Sequence, residues 1–393
     1  MKRVRLPASI IALGFASFFG DFASEMIFPL LPVFVPTLGA GPAFLGLVEG
    51  VADAVSAFLK LGTGYVSDRS ARQKPFVLAG YTLAGLARPL VGIAAAPWHV
   101  LAIRSTDRVG KGVRTTPRDA LIAAHVPNEM SGRAFGFHRS MDHLGAVFGP
   151  LAATGLLMLG VDMRTVFLVA VVPGAASVVA VLFAKEADAK KTHGESPAGG
   201  RAAALPPRLR GFYWILALFS VANASEVFLL VRAKEMGIAA SWLPVLWSVH
   251  HVSKSACTYF GGALADRVPR ATMIAAGWGV YAVVYVAFAF ASAPWQVWSL
   301  FVAMGVYFGL TEPAEKALVR DLAPASLRGR AFGYYNFVLG LCAVPAGLLM
   351  GWLWESFGSW VALATGSAVA AVSCVLLTVW ARASGATEAA KGA

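Results

Sequence analysis

Residues 262–267 read Gly262-Ala263-Leu264-Ala265-Asp266-Arg267, and residues 64–69 read Gly64-Tyr65-Val66-Ser67-Asp68-Arg69. Both strings close a long apolar run, and both share Gly-x-x-x-Asp-Arg at an offset of 198 residues. Two further pairs keep nearly the same register. Ala23-Ser24-Glu25 recurs as Ala224-Ser225-Glu226, and Gly132-Arg133-Ala134-Phe135-Gly136 recurs as Gly329-Arg330-Ala331-Phe332-Gly333, at offsets of 201 and 197. Three matches in the same order identify an internal duplication of half the chain.

What is duplicated follows from composition. The 393 residues are 58% hydrophobic and 14% charged, with a mean hydropathy of +0.66. Soluble domains run at about 45–50% apolar and about 25% charged, so a soluble fold is excluded, and so is disorder. A bilayer core takes about 20 helical residues to cross. Apolar runs predict twelve such spans, at 8–37, 43–66, 75–95, 98–123, 133–158, 165–184, 211–233, 241–265, 271–291, 295–320, 331–353 and 359–381. The first is not read as a cleaved signal peptide, because Asp21 and Glu25 interrupt it and it is too long. A polar stretch from Lys185 to Arg210, with Gly199-Gly200 and Pro206-Pro207, reads as a linker. The expected fold is an all-α integral membrane protein of twelve transmembrane helices in two pseudo-symmetric six-helix halves. Its domains are residues 1–184, the cytoplasmic linker 185–210, and residues 211–393.

The net charge of +12 then takes its meaning from position. Most of the Lys and Arg excess falls in the termini and the loops on their side of the membrane, which places both termini in the cytoplasm of a multi-pass plasma (inner) membrane protein. A nucleic-acid partner is not expected. Cys257, Cys342 and Cys374 sit scattered in apolar runs without ligand spacing, and read as small core residues rather than a disulfide framework.

Charge inside the spans is costly in lipid and must face a partner, a cavity or water. Asp21 and Glu25 are four apart, hence on one helix face. Glu49, Asp53, Ser56 and Lys60 form one stripe, and the fourth span carries another of Arg104, Asp107, Arg108, Lys111, Arg114 and Arg118. His138, Arg139, Asp142 and His143 follow in the fifth span; His251, Lys254 and Thr258 share a stripe, as do Glu312, Glu315 and Lys316. Many of these are expected to be ion pairs that hold helices together. The fourth-span cations also suit an anionic substrate, because Arg grips carboxylate or phosphate with two bonds. Glu25 and Glu226 occupy equivalent repeat positions beside the expected central cavity, where a carboxylate in low dielectric can exchange a proton. The candidate substrate- and proton-binding residues are Asp21, Glu25, Asp53, Arg104, Arg108, Asp142 and Glu226. Histidine spacing is wrong for chelation from one face, so no metal site is expected. No nucleophile–base pair is visible either, which argues against an enzyme.

These strings resemble the major facilitator superfamily over essentially the whole chain. The loop after the second span looks like its Gly-x-Leu-Ala-Asp-Arg-x-Gly-Arg-Arg signature through Gly64, Asp68, Arg69 and Arg72, with Ala71 in place of the second Gly. Gly262, Asp266 and Arg267 with Arg270 repeat it more closely. The resemblance implies a conformational latch at Asp68 and Asp266, with Arg133 and Arg330 as partners. The fifth span resembles the antiporter motif through Gly136, Gly145, Gly149 and Pro150, although Ala153 and Thr154 replace its last glycines. Pro29 and Pro32 look like the first-helix Pro-x-x-Pro of twelve-helix drug/proton antiporters. The fourth span departs from the family, with Asp107-Arg108-Val109-Gly110-Lys111-Gly112 where Arg-x-x-Gln-Gly is usual, so Arg104 and Arg108 are candidates for the family's proton-relay role and neither matches its motif.

The expected function is secondary active transport of a small organic solute by alternating access, as proton-coupled efflux. Uptake of an anionic nutrient or metal chelate is the alternative within transport, and a non-transporting receptor the alternative outside it. Partners are the solute, protons and the lipid bilayer, with the chain a monomer. No cofactor is implied, the proton gradient being the energy source.

Overall fold

The computed structural model describes residues 6–68, 70, 72–126, 128–186, 205–265, 268–324 and 327–389. Among them, twelve helical stretches follow one another. The first is α1 (Ala8–Glu25), a 3-10 turn at Phe28–Leu30 and α2 (Leu31–Thr37). The next five are α3 (Pro42–Asp68), α4 (Lys74–Ala87) extended by a 3-10 turn at Arg88–Ile93, α5 (Pro97–Ala124), α6 (Asn128–Met158), and α7 (Met163–Val169) with α8 (Val171–Phe183). From residue 207 come α9 (Pro207–Ala222) with α10 (Val227–Glu235), then α11 (Leu243–Ala265) behind a 3-10 turn at Ala240–Trp242. α12 (Arg270–Phe290), α13 (Pro294–Leu322), α14 (Arg328–Phe357) and α15 (Ser359–Ala389) complete the chain.

Each stretch contains the core of one predicted span. The ends run further than hydropathy suggests, α6 starting at Asn128 and α15 reaching Ala389, because a helix continues past the hydrocarbon into the polar headgroup layer. Nine of the described stretches are long and apolar enough to cross a bilayer. Of the other three, α5 and α6 are dense in charge, and α11 carries Lys254 beside His250 and His251. Large apolar side chains on the outer surface, such as Phe183, Trp214 and Phe290, are exposed as lipid-facing residues must be.

The duplication extends into the turns. Gly39 and Gly237, and likewise Gly160 and Gly358, adopt positive φ between 81° and 89°, and each pair is separated by 198 residues. All four end a helix at the membrane face opposite the termini, where only a residue without Cβ enters the left-handed region freely.

It also extends into two breaks. α1 stops at Glu25, where Pro29 and Pro32 remove backbone donors and force the turn. Its counterpart stops at Ala222, and the chain resumes helix only at Val227, after Asn223, Ala224, Ser225 and Glu226. No proline explains the second break. Irregular backbone at membrane depth survives only where it lines a cavity, and these four residues line one.

The first six stretches pack among themselves through α1 on α6 and α8, and α5 on α3 and α4; the last six through α13 on α11 and α12, and α15 on α9 and α12. Two seams join the groups, α3 with α14 and α6 with α11. The first seam is built on small residues: a Cβ on Gly351 would meet Ala43 Cα at 2.3 Å, and one on Gly340 would meet the Ala57 methyl at 2.3 Å. At its outer end the Ala43 N–H donates to Glu355 Oε1 at 2.9 Å. The second seam carries Thr154 Oγ1 to the Ser241 carbonyl at 3.0 Å and Ser248 Oγ to the Val147 carbonyl at 2.8 Å. Both seams are thus closed at the end opposite the termini.

Candidate functional site

Between the groups lie two adjoining cavities of about 390 and 350 Å³, which share Asp53, Arg108, Lys111, Asn223 and Ala343. The larger sits at the two helix breaks; the smaller continues from it toward the terminus side, past Lys60 and Asn336.

The stripe on α5 divides into two parts. Arg104 grips Glu49 of α3 through three contacts of 2.8 to 3.0 Å, and its Nη1 lies 3.7 Å from Asp107. Arg88 Nε reaches Asp107 Oδ1 at 2.7 Å and Arg88 Nη1 donates to the Gly20 carbonyl at 2.6 Å. These four side chains are almost wholly buried, and each charge is answered by another, as low dielectric demands. One turn further on, Arg108 has only distant partners, at 3.9 to 4.0 Å from Glu49, Asp53 and Asp107. It lines both cavities, as does Lys111.

The two break carboxylates are held differently. Glu25 Oε2 accepts from Trp247 Nε1 of α11 at 2.7 Å, a bond that crosses the seam. Among the described residues no cation lies within ion-pair distance of Glu25. Glu226 Oε1 faces His250 Nε2 at 3.2 Å and Lys254 Nζ at 3.7 Å, and Lys254 rests 3.5 Å from the centre of the Phe308 ring. The buried His250 imidazole is oriented by its other nitrogen, 3.0 Å from the Phe301 carbonyl. A carbonyl only accepts, so Nδ1 carries the hydrogen. The remaining contact, Nε2 to a carboxylate oxygen, then needs a proton on one side or the other. The pair His250–Glu226 therefore holds one exchangeable proton whenever the contact is made.

The profile of the Major Facilitator Superfamily matches residues 13–341 and, in a second overlapping match, 237–392. The chain belongs to this superfamily. An uncharacterized MFS-type transporter of Methanocaldococcus jannaschii is 31% identical over 95% of this chain and 94% of its own. The multidrug resistance protein MdtG of Escherichia fergusonii is 27% identical over 83% of both chains. Among solved structures, the nucleoside transporter NupG superposes with a TM-score of 0.81 at 12% identity, covering 95% of this chain and 99% of that one. That likeness speaks for the fold. A membrane transporter with the facilitator fold is what sequence and structure agree on.

In this facilitator, Glu25, Asp53, Arg108 and Glu226 meet at the cavities, while Arg104 is enclosed among Glu49, Asp107 and the Phe28 ring. Asp142 lies in the first half, where Ser17 Oγ donates to it and His138 and Arg139 stand 3.8 and 3.7 Å away. Asp21 has no ion-pair partner among the described residues. Gly145 and Gly149 let α6 lie directly on α1, since a Cβ on either would fall within 2.4 Å of the Phe18 or Phe22 carbonyl; Pro150 follows in the same helix. Arg72 is exposed beside Ser70. Of the expected latch, Arg69, Asp266 and Arg267 lie outside the described residues, as do Gly64, Asp68, Arg133, Gly262 and Arg330 beyond their helical backbone. Cavity residues not singled out as site residues from sequence include Lys60, Lys111, Ser220, Asn223, Trp247, Lys254 and Asn336. His250, behind the wall, was also passed over. Among the described residues no group of three or more His, Cys, Asp or Glu is arranged to hold a metal ion.

Proposed function

We propose that this facilitator is a proton-coupled exporter of a small organic solute, a monomer in the plasma membrane with both termini in the cytoplasm. Glu25 carries the reading: a cavity-lining carboxylate whose one donor among the described residues is an indole of the opposite half. Alternating access needs a group that both halves feel. An ionised carboxylate holds the indole by a charge-assisted bond, about twice as strong as a neutral one. Protonation weakens that tie and leaves no cation stranded. His250–Glu226 offers a second exchangeable proton at the repeat-equivalent carboxylate.

The bundles 1–184 and 211–393, joined by 185–210, are the two rocking bodies in this reading, with Asp68 and Asp266 latching the cytoplasmic side against Arg133 and Arg330. The charge of the loops supports the sealed end, at Ala43 and Glu355, as the outer one. The cavity then opens to the cytoplasm, where an exporter loads. The multidrug resistance relative supports that direction. Uptake of an anion is the second reading, favoured by the cavity lysines. Proteoliposomes under an imposed pH gradient separate the two: solute moving against the proton flow supports export, solute moving with it supports uptake, and no gradient-dependent flux overturns the coupling.

A further inference from the structure

The smaller cavity has a lopsided wall. Its first-half side presents Lys60, Lys111 and Arg108, and the acidic residue among its lining is Asp53. Of the carboxylates near these cations, all but Asp21 are already engaged, and among the described residues Asp21 stands outside ion-pair distance of them. Glu49 is held by Arg104, Asp53 stands 4.0 Å from Arg108, Glu226 faces His250 and Lys254, and Glu25 takes the Trp247 indole. Among the described residues, neither the Lys60 nor the Lys111 ammonium has a carboxylate within ion-pair distance. Two ammonium groups beside a guanidinium, at membrane depth and outnumbering the one acidic residue of the lining, repel one another. An anion placed among them relieves that repulsion.

The opposite wall is chemically complementary. It is neutral and hydrogen-bonding, made by Ser220, Asn223 and Asn336 of the second half. Ser220 is 95% buried with no partner for its hydroxyl among the described residues, so it donates toward the cavity at no cost to any existing bond. Asn223 stands at the helix break and already gives one amide hydrogen to the Tyr307 hydroxyl, leaving its other amide hydrogen free to turn to the cavity.

We infer that this cavity is an oxyanion subsite, in which a carboxylate, phosphate or phosphonate group of the solute is bound by Lys60, Lys111 and Arg108 and hydrogen-bonded from the other half by Ser220 and Asn223. The inference deepens the transport reading and rests on its assignment of the cavity as the solute path. It also names the solute's chemistry: an organic acid or phosphoryl compound small enough for two cavities of about 350 and 390 Å³, rather than an uncharged lipophile. Because the ligand touches both halves, binding ties charge capture to their relative position.

The test uses the full-length protein purified in detergent, with inorganic phosphate and succinate as probes and chloride at matched ionic strength as reference. Either probe should raise the unfolding temperature saturably, since a ligand that binds only the folded state stabilises it. Lys60→Gln and Lys111→Gln should each weaken the apparent affinity by about tenfold, the worth of one charged hydrogen bond, while Lys111→Arg should retain it. Phosphate alone active points to a phosphoryl solute, succinate alone to a carboxylate; both outcomes support the subsite. No saturable shift with either probe, or an equal shift in the Gln variants, overturns it. Should the Gln variants fail to fold, acetic anhydride labelling of the wild-type protein decides. Phosphate or succinate should slow acetylation of Lys60 and Lys111 but leave exposed Lys316 unaffected; equal rates at all three overturn the proposal. Anion binding without flux under any gradient would instead count against the transport reading and leave the subsite standing.

Discussion

Gly46 of α3 and Gly347 of α14 face each other so closely that a Cβ on either would lie 2.2 Å from the other's carbonyl oxygen. Such a contact cannot be relieved by a side-chain rotation, because both atoms belong to backbone. The seam that seals one end of the cavity therefore depends on two missing methyl groups. Gly46→Ala or Gly347→Ala should cost about 1–3 kcal/mol through overpacking, read as a lowered unfolding temperature. Gly279→Ala is the control: nothing lies within 4 Å of its Cβ position, and removing a helical glycine there should be neutral or mildly stabilising. Equal behaviour of the three variants would mean the seam is not under that constraint.

Arg104 and Arg108, one turn apart on the same face, should respond in opposite ways to substitution. Arg104 and Glu49 are 3% and 2% exposed, so Arg104→Ala strands a carboxylate in the interior and should destabilise by about 3–5 kcal/mol. Arg108→Gln breaks only contacts near 4.0 Å and should leave the unfolding temperature almost unchanged while lowering solute affinity. Thermal denaturation beside equilibrium binding of phosphate or succinate separates them. A stable Arg104→Ala protein would show that Glu49 finds other compensation.

The contrast between these arginines also marks how far the sequence can be read. The helical stretches, the duplication and the equivalent places of Glu25 and Glu226 at the two helix breaks were visible, because hydropathy, spacing and repeat register are local properties of the chain. The turn glycines at Gly39 and Gly237 kept the same register, yet a lone glycine carries too little signal to be chosen from forty. The assignment of charge was not visible. Which α5 cation is neutralised depends on Glu49 arriving from α3, and which stays open depends on no carboxylate arriving for Lys111. Trp247 was hidden for a related reason: an indole in an apolar span reads as a lipid- or core-facing ring until the carboxylate of another half is found against it. His250, adjacent to a second histidine, became informative only when the Phe301 carbonyl fixed its tautomer.

His250 should govern the pH response of transport without being needed for solute binding. His250→Gln places a non-titrating amide donor toward Glu226 and removes the exchangeable imidazole proton. The dependence of flux on pH should then differ from that of the wild type while solute affinity stays within about threefold, less than one charged hydrogen bond is worth. His251, with both ring nitrogens unpartnered among the described residues, and Lys254 also stand close to Glu226, so His251→Gln and Lys254→Gln serve as comparisons. A profile unchanged in His250→Gln but altered in His251→Gln would move the proton to the neighbouring ring.

Glu25 and Trp247 should be separable in their effects although they share one bond. Glu25→Gln keeps an acceptor for the indole N–H, so fold and closed seam should survive; what is lost is the group that exchanges a proton. Exchange of solute across proteoliposomes at equal pH should persist, while accumulation driven by a pH gradient should disappear. Trp247→Phe does the reverse: it retains an aromatic ring against Phe28, now 4.9 Å away between centroids, and keeps the carboxylate, but removes the donor. Gradient-driven accumulation should remain coupled and become slower or faster as the balance between the two access states shifts. The double variant decides whether the bond is the coupling element. If the carboxylate acts through the indole, adding Trp247→Phe to Glu25→Gln should change equal-pH exchange less than it does in the wild-type background, a non-additivity expected of residues in direct contact. Strict additivity would mean that Glu25 exchanges its proton independently of the seam, and the coupling would then have to be sought at Glu226 and His250.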